Sequence, residues 1–123
     1  MPYRVYFEGE ILRADFTEIV IDREIIEFAT VLEKMERSRP VVPHRISDLS
    51  KTSGLNIGFR ELLALADRRK SVRFVNAFKS AIIAQQPVHV GLARMFQTLN
   101  EHPQITIKIF PNLPAALAWI AEA

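Results

Sequence analysis

The sequence FKSAIIAQQPVHVGLARMF, residues 78–96, predicts a buried strand, a tight turn and a helix. Its first seven residues form a short, mostly apolar run, which is typical of a strand that is covered on both faces of a sheet. Gln85, Gln86 and Pro87 interrupt the run, and Pro87 suits the first turn of a helix because its missing N–H costs nothing there. Apolar residues then recur at helical spacing. A strand that leads into a helix in this way is half of a βαβ unit.

Strand and helix patterns alternate over the rest of the chain as well. Residues 3–7 and 11–16 alternate apolar and polar side chains on either side of the turn Glu8-Gly9-Glu10, which predicts a β-hairpin. Further strands are predicted at 41–49, 78–84 and 105–109, and helices at 22–37, 58–70, about 87–99 and 114–121. Residues 17–22 are predicted to be a connector with Asp22 as a helix N-cap, and residues 50–58 a polar loop. Residues 71–77 fit either a helical extension or a loop.

The predicted order of elements is β-β-α-β-α-β-α-β-α. Alternating strands and helices favour crossover connections and a mostly parallel sheet, to which the N-terminal hairpin adds an antiparallel edge. We therefore expect an α/β fold with a mixed five-stranded sheet, built from the hairpin and the following βα repeats and covered by four helices. A chain of 123 residues is typical of one domain, so residues 1–123 are predicted to form a single domain.

Composition excludes several classes of protein. The net charge is only +2, which does not favour a nucleic-acid partner. The chain has no cysteine, which excludes disulfides, thiolate metal sites and cysteine nucleophiles. The N-terminal MPYRVYFEGE lacks the apolar core of a signal peptide, and no apolar run approaches the length of a membrane span. We expect a soluble cytoplasmic protein with no stable membrane insertion.

The chain resembles a known family over nearly its whole length. The run AIIAQQPVHVGLARMF, followed by ITIKIF and PAALAWI, is similar to the SpoIIAA-like family, small bacterial proteins of the STAS/CRAL-TRIO-like type. The N-terminal YRVYFEGEILRADF and IDREIIEF are similar to that family too, and GLARMF and ALAWI are the most specific parts. The resemblance implies a mixed-sheet α/β domain with four helices. It also implies a non-catalytic binding or regulatory module that acts through a protein partner or as a homodimer.

A second resemblance concerns residues 47–55, SDLSKTSGL. STAS anti-anti-sigma proteins carry a strand that ends in Asp-Leu-Ser and a later Ser-Gly-Leu at a helix start, where the phosphoacceptor serine lies. The resemblance implies a phosphorylation switch at Ser50 or Ser53, although the two pieces stand closer together here. The alternative is that Asp48, Ser50, Thr52 and Ser53 are turn and capping residues.

Polar residues follow two neighbouring strands of the predicted sheet. The carboxyl ends of adjacent parallel strands meet at one edge, so these residues are predicted to form the rim of a small ligand or anion site. The predicted rim consists of Asp48, Ser50, Ser53, Gln85, Gln86 and His89. Gly91, one turn into the helix, would let a ligand or a backbone approach closely. The alternative is polar helix capping combined with close packing at the glycine.

No residue set amounts to a catalytic signature. The three histidines, His44, His89 and His102, form no tight ligand pair, so we predict no metal and no cofactor. We predict that the protein is not an enzyme. The catalytic alternative uses His89 with Asp48 or Ser50, and requires those side chains to lie within hydrogen-bonding distance.

Two further clusters have alternative interpretations. The basic residues around the end of the second helix are predicted to be a solvated helix terminus, or else a surface for anionic lipid or an acidic partner. They are Arg68, Arg69, Lys70, Arg73 and Lys79. Several apolar residues near the same helix belong either to ordinary core or to the lining of a cavity. They are Phe59, Leu62, Phe74 and Phe78. A cavity between the sheet and the second and third helices would make the protein a carrier of a small apolar ligand or lipid.

Overall fold

The computed structural model describes residues 2–122 and contains seven strands and four helices. The strands are β1 Tyr3–Glu8, β2 Ile11–Phe16, β3 Ile19–Ile21, β4 Arg45–Asp48, β5 Gly54–Asn56, β6 Phe78–Ile83 and β7 Ile105–Phe110. The helices are α1 Asp22–Arg37, α2 Phe59–Lys70, α3 Pro87–Leu99 and α4 Leu113–Ile120.

Five of the strands form one mixed sheet in the order β1-β2-β4-β6-β7. The β1–β2 hairpin is antiparallel, and Gly9 in its turn has a φ of 61°, a conformation that favours glycine. All other neighbours in this sheet are parallel, with Ser47 opposite Ile82 and Ser80 opposite Ile107. The predicted α/β fold with a mixed five-stranded sheet and four helices is therefore confirmed.

The two faces of the sheet are covered by different helices. On one face, α1 packs its apolar side against β2, and α3 packs against β6 and β7. On the other face, Ile46, Ala81 and Ile83 pack against α4 through Ala116 and Trp119. The strand β6 is buried on both faces, as its apolar sequence predicted, because Ile82 contributes to one core cluster and Ile83 to the other.

A second, two-stranded sheet joins two segments for which the sequence predicts irregular structure. Residues 17–22 contain β3, and residues 50–58 contain β5, which pairs with β3 in parallel. Three consecutive apolar β-branched residues suit a strand, but Gly54–Asn56 has no strand pattern of its own. The pairing depends on a long-range contact, with Ile19 opposite Gly54, which local patterns do not reveal.

The predicted strand at 41–49 is shorter than expected and begins at Arg45. Pro43 has no N–H to donate, and the backbone of Val42 is held by a side chain instead. The Val42 N–H donates to Asn76 Oδ1 at 2.8 Å, and Asn76 Nδ2 donates to the Val42 carbonyl at 3.0 Å. The Asn76 side-chain amide therefore makes the two backbone hydrogen bonds that a neighbouring strand would otherwise make with Val42.

Helix ends agree with the predictions in part. Asn112 is the N-cap of α4, and its Oδ1 accepts from the Ala115 N–H at 2.9 Å. Asp22 was predicted to be the N-cap of α1, but it is the first helical residue and Ile21 is the cap. The Asp22 carboxylate accepts from the Gly58 N–H at 3.0 Å and so ties the start of α1 to the start of α2. Within residues 2–122, no helix is both long and apolar enough to cross a membrane.

Candidate functional site

A cavity of about 110 Å³ lies between the main sheet and helices α1, α2 and α3. Its lining is mostly apolar, and the polar lining residues are Arg45, Ser47, Arg69 and Ser80. Period-two alternation explains why Arg45 and Ser47 reach it while Ile46 packs against α4 on the other face. The sheet and the three helices therefore border a partly open space with an apolar wall and a few polar groups.

The polar and apolar ends of the cavity are separated along β4. Arg45 begins this strand and pairs with Ser80 of β6, and its Nη2 donates to Ser80 Oγ at 3.1 Å. Leu49 follows the strand and lines the cavity together with Leu55 and Ile57. Four residues of extended chain, about 13 Å, separate Arg45 from Leu49. The polar end therefore lies at the amino-terminal edge of the parallel strands and the apolar end at their carboxyl edge.

Three buried charged residues meet at the polar end, and we call them the buried triad: Glu36 of α1, Arg45 of β4 and Arg69 of α2. The Glu36 carboxylate accepts hydrogen bonds from both guanidinium groups. It accepts from Arg45 Nη1 at 2.9 Å, and from Arg69 Nη1 and Nη2 at 2.8 and 2.6 Å. The residues are only 3%, 4% and 1% exposed for Glu36, Arg45 and Arg69. The triad therefore buries two positive charges with one negative charge.

A second ion pair adjoins the triad and shares one contact with it. Glu33 binds the half-buried Arg68, with 2.7 Å between Glu33 Oε1 and Arg68 Nη2. Its other oxygen is 3.6 Å from Arg69 Nη1. The five side chains together carry three positive charges and two negative charges, a surplus of one positive charge. Burial, reinforced by the charge of Arg69, lowers the pKa of Arg45 to about 10 despite the opposing effect of Glu36.

The interpretation of the basic cluster as a solvated helix terminus is wrong for part of the cluster. Arg69 is buried, and Arg68 is held by Glu33. Lys79 lies in β6, where its Nζ donates to the Trp119 and Glu122 carbonyls at 2.8 and 2.7 Å. Lys70 alone of these four is an exposed residue at the helix end. Sequence proximity grouped residues that the fold separates.

The predicted cavity lining is also corrected. Of the four apolar residues proposed, Leu62 lines the cavity and the other three do not. Phe59, at the start of α2, is 59% exposed. Phe74 and Phe78 pack edge to face against each other, with 5.0 Å between their ring centroids. The cavity lies closer to α1 than the sequence suggested, because Phe28 and Leu32 form part of its wall.

The residues predicted for a rim at the end of β4 are exposed or half-buried. Asp48, the last residue of β4, accepts from the Ser50 N–H through Oδ1 at 2.9 Å and so orders the turn that follows the strand. Its other oxygen is 3.7 Å from Arg13 Nη2. Ser50 and Ser53 are exposed. Ser53 precedes β5 rather than a helix, because α2 does not begin until Phe59. The hydroxyl of Thr52 is turned inward and donates to the Glu18 carbonyl.

The residues predicted for a rim after β6 differ in exposure. Gln85 and Gln86 are exposed, and Gln85 Nε2 donates to the Pro111 carbonyl at 2.8 Å. His89 is buried on α3. Gly91 is exposed, and a Cβ at this position would meet nothing within 4 Å. The predicted close approach at Gly91 is therefore not found. Gly91 does not line the cavity, and no packed neighbour lies against it.

The side-chain pairing that the catalytic alternative requires is not formed. Among the hydrogen bonds of residues 2–122, none joins His89 to Asp48 or Ser50. Asp48 alternates with Ser47 along β4, and its carboxylate lies beside Arg13 rather than on the cavity side of the sheet. The same residues 2–122 contain no group of three potential His, Cys, Asp or Glu ligands for a metal ion.

The buried triad was missed although the sequence carries a signal for it. Glu36 lies four residues after Leu32 and eight after Phe28, on the apolar stripe of α1. Arg69 lies four residues after Leu65, on the apolar stripe of α2. Charged residues at these positions are expected to be buried, and buried charges need partners. The position of a charged residue on the apolar side of a helix therefore predicts the triad, whereas runs of basic residues do not.

Comparisons with known proteins show a fold but no sequence family. No family model and no curated protein matches the sequence. A solved structure that matches is an uncharacterized protein of the DUF3478 family with a SpoIIAA-like fold, from Shewanella loihica PV-4. The TM-score is 0.60 at 16% sequence identity, and the match covers 97% of this chain and 92% of that chain. The resemblance predicted from the sequence is thus confirmed at the level of structure: the protein has a SpoIIAA-like fold.

Proposed function

We propose that the protein is a non-catalytic binding protein that holds a small apolar molecule in the cavity between the main sheet and helices α1, α2 and α3. The observation that supports this is the cavity itself, which has about 110 Å³ and a mostly apolar wall. For comparison, an engineered apolar cavity of about 150 Å³ binds benzene. A ligand of about the size of benzene or smaller therefore suits the space. We further propose that residues 1–123 act as one domain.

An apolar wall without a ligand is unfavourable for the fold. The cavity is partly open, so its apolar side chains meet water when no ligand is bound. An apolar occupant would remove this surface from water and add dispersion contacts with the wall. The physical benefit of a ligand therefore follows from the packing.

The test is a titration of the isotope-labelled protein with benzene, followed by two-dimensional amide NMR. We expect saturable shifts concentrated on residues that line the cavity, for example Leu65 and Ala93. The variant Ala93→Leu places a larger side chain in the cavity and should abolish those shifts. The matched control is Ala64→Leu, which adds the same atoms at an exposed position of α2. It should bind benzene like the parent protein.

The alternatives give a different result in the same experiment. A regulatory module that acts through a protein partner, as a homodimer, or through phosphorylation of Ser50 or Ser53 needs no ligand in its interior. Absence of saturable shifts in the parent protein, or equal shifts in Ala93→Leu, would remove the support for a binding protein. Retained small molecules can be sought independently by native mass spectrometry after gentle purification.

A further inference from the structure

We infer that the natural ligand of the cavity is a small apolar carboxylate, whose carboxylate group is bound at the polar end by Arg45 and Arg69. This inference rests on the proposed function, since it specifies the chemistry of the molecule that the cavity holds. Three observations lead to it: the charge balance of the buried triad, the separation of polar and apolar lining, and the volume.

The charge balance calls for one more negative group. Glu36 is the single carboxylate of the triad, and it accepts hydrogen bonds from both guanidinium groups. Glu33, the nearest other carboxylate, is engaged by Arg68 through Nε and Nη2. Buried charges are normally paired, because an uncompensated charge loses its hydration. A ligand with one negative charge would make the site neutral.

The donors at the polar end suit a carboxylate. Arg45 and Arg69 both line the cavity, and each guanidinium carries five N–H donors in a planar arrangement that matches carboxylate geometry. Ser80 is 2% exposed and accepts from Arg45, so its own hydroxyl hydrogen can be donated to a ligand oxygen. The Ser47 hydroxyl lies on the same wall. Charge-assisted hydrogen bonds of this kind are about twice as strong as neutral ones.

The rest of the cavity suits a short hydrocarbon part. Beyond the polar end, the wall consists of side chains such as Leu49, Leu65 and Phe96. The cavity of about 110 Å³ is somewhat smaller than the engineered cavity of about 150 Å³ that binds benzene, a molecule of six non-hydrogen atoms. The space therefore suits a ligand of up to about six non-hydrogen atoms, such as butanoate. A phosphate ester would bring up to two negative charges against a surplus of one, so the charge balance favours a carboxylate.

The experiment compares acids with uncharged molecules of the same shape. Butanoate and pentanoate are titrated by amide NMR against butanamide and pentanamide, with formate as a carboxylate that lacks an apolar part. We expect each acid to bind at least about tenfold more tightly than its amide. Hydrogen bonds to charged groups are stronger than neutral ones, and the difference in free energy corresponds to about this ratio of dissociation constants. Formate should bind at least about tenfold more weakly than butanoate, since it leaves the apolar wall uncovered.

A variant identifies the residue responsible for the preference. Arg69→Met removes the surplus charge while Glu36 keeps Arg45 as its partner, so the preference for acid over amide should fall below about threefold while amide binding persists. The matched control is Lys70→Met, which removes one positive charge from the exposed end of the same helix. It should keep the preference of the parent protein. Thermal unfolding shows whether each variant is folded, and the comparison in the parent protein stands without the variants.

The outcomes separate this inference from the proposed function. Equal binding of acids and amides would overturn the carboxylate while leaving an apolar ligand site in place. Binding of formate as tight as that of butanoate would also overturn it, since the apolar part would then contribute nothing. If neither acids nor amides nor benzene bind, both the inference and the proposed function fail.

Discussion

Removal of the Glu36 carboxylate tests how strongly the buried triad is desolvated. In Glu36→Gln, the guanidinium groups of Arg45 and Arg69 keep their positions but lose their shared counter-charge. Removing one partner of a buried ion pair costs about 3–5 kcal/mol, because a charge stays buried without compensation. The total stability expected for a domain of this size is about 6–18 kcal/mol, from about 0.05–0.15 kcal/mol per residue. The variant should therefore lose a large part of its stability.

The loss can be measured by urea unfolding, followed by circular dichroism, with parent and variant compared at equal slope of the transition. At about 4 °C per kcal/mol for this size, the melting temperature should fall by about 12–20 °C. The matched control is Glu27→Gln, which removes a carboxylate from an exposed position of the same helix. The loss of a charge in full contact with water is expected to cost about 1 kcal/mol or less.

One result would refute the reasoning. If Glu36→Gln costs no more than Glu27→Gln, water must reach the guanidinium groups of the triad. In that case the surplus charge is solvated and gives no reason for an anionic ligand. The reasoning is supported if Glu36→Gln is strongly destabilised and butanoate stabilises this variant more than it stabilises the parent protein. The ligand carboxylate would then occupy the place of the lost Glu36 carboxylate.

Two other predictions concern titration and backbone conformation. Burial, and secondly the charge of Lys79, lower the pKa of His44 below its usual 6.5, and its Nδ1 accepts from the Lys79 N–H at 2.9 Å. The contribution of His44 to the free energy of unfolding should therefore be constant above about pH 6.5 and be lost as the pH drops through the lowered pKa. His44→Asn, which keeps an acceptor but cannot be protonated, should show a smaller decrease in unfolding free energy between about pH 7.5 and pH 5. Gly91→Ala, at an open position inside α3, should stabilise by about 1 kcal/mol. Gly9→Ala, where φ is 61°, should destabilise by about 1 kcal/mol, and urea unfolding measures both.

Local patterns were sufficient for most of the architecture. The apolar run of β6, the proline at the start of α3 and the alternation in β7 each correspond to an observed element. The parallel order of β2, β4, β6 and β7 follows from crossover connections through helices. The short strands β3 and β5 could not be predicted in the same way. Each has three residues, and each is a strand because of the other.

The candidate site was harder to predict than the fold because its parts come from the sheet and from three separate helices. The cavity exists because α1, α2 and α3 approach the sheet without filling the space between them, and no single helix encodes that distance. Polar residues in turns, such as Ser50 and Gln86, attracted attention because turns often carry function. They lie at the surface and do not line the cavity, so the rim that they would form stays a separate prediction.

The charges on buried helix faces are the more informative signal. An apolar residue at position 36 or 69 would fill the same interior place without desolvating a charge, and replacement of buried ion pairs by apolar residues is often neutral or stabilising. A chain that keeps two arginines and one glutamate there carries a cost in stability, with a residual positive charge beside an apolar cavity. Stability alone does not explain that arrangement. The carboxylate ligand that we propose would explain it, because the charge that is unfavourable in the empty protein would become favourable when a carboxylate is bound.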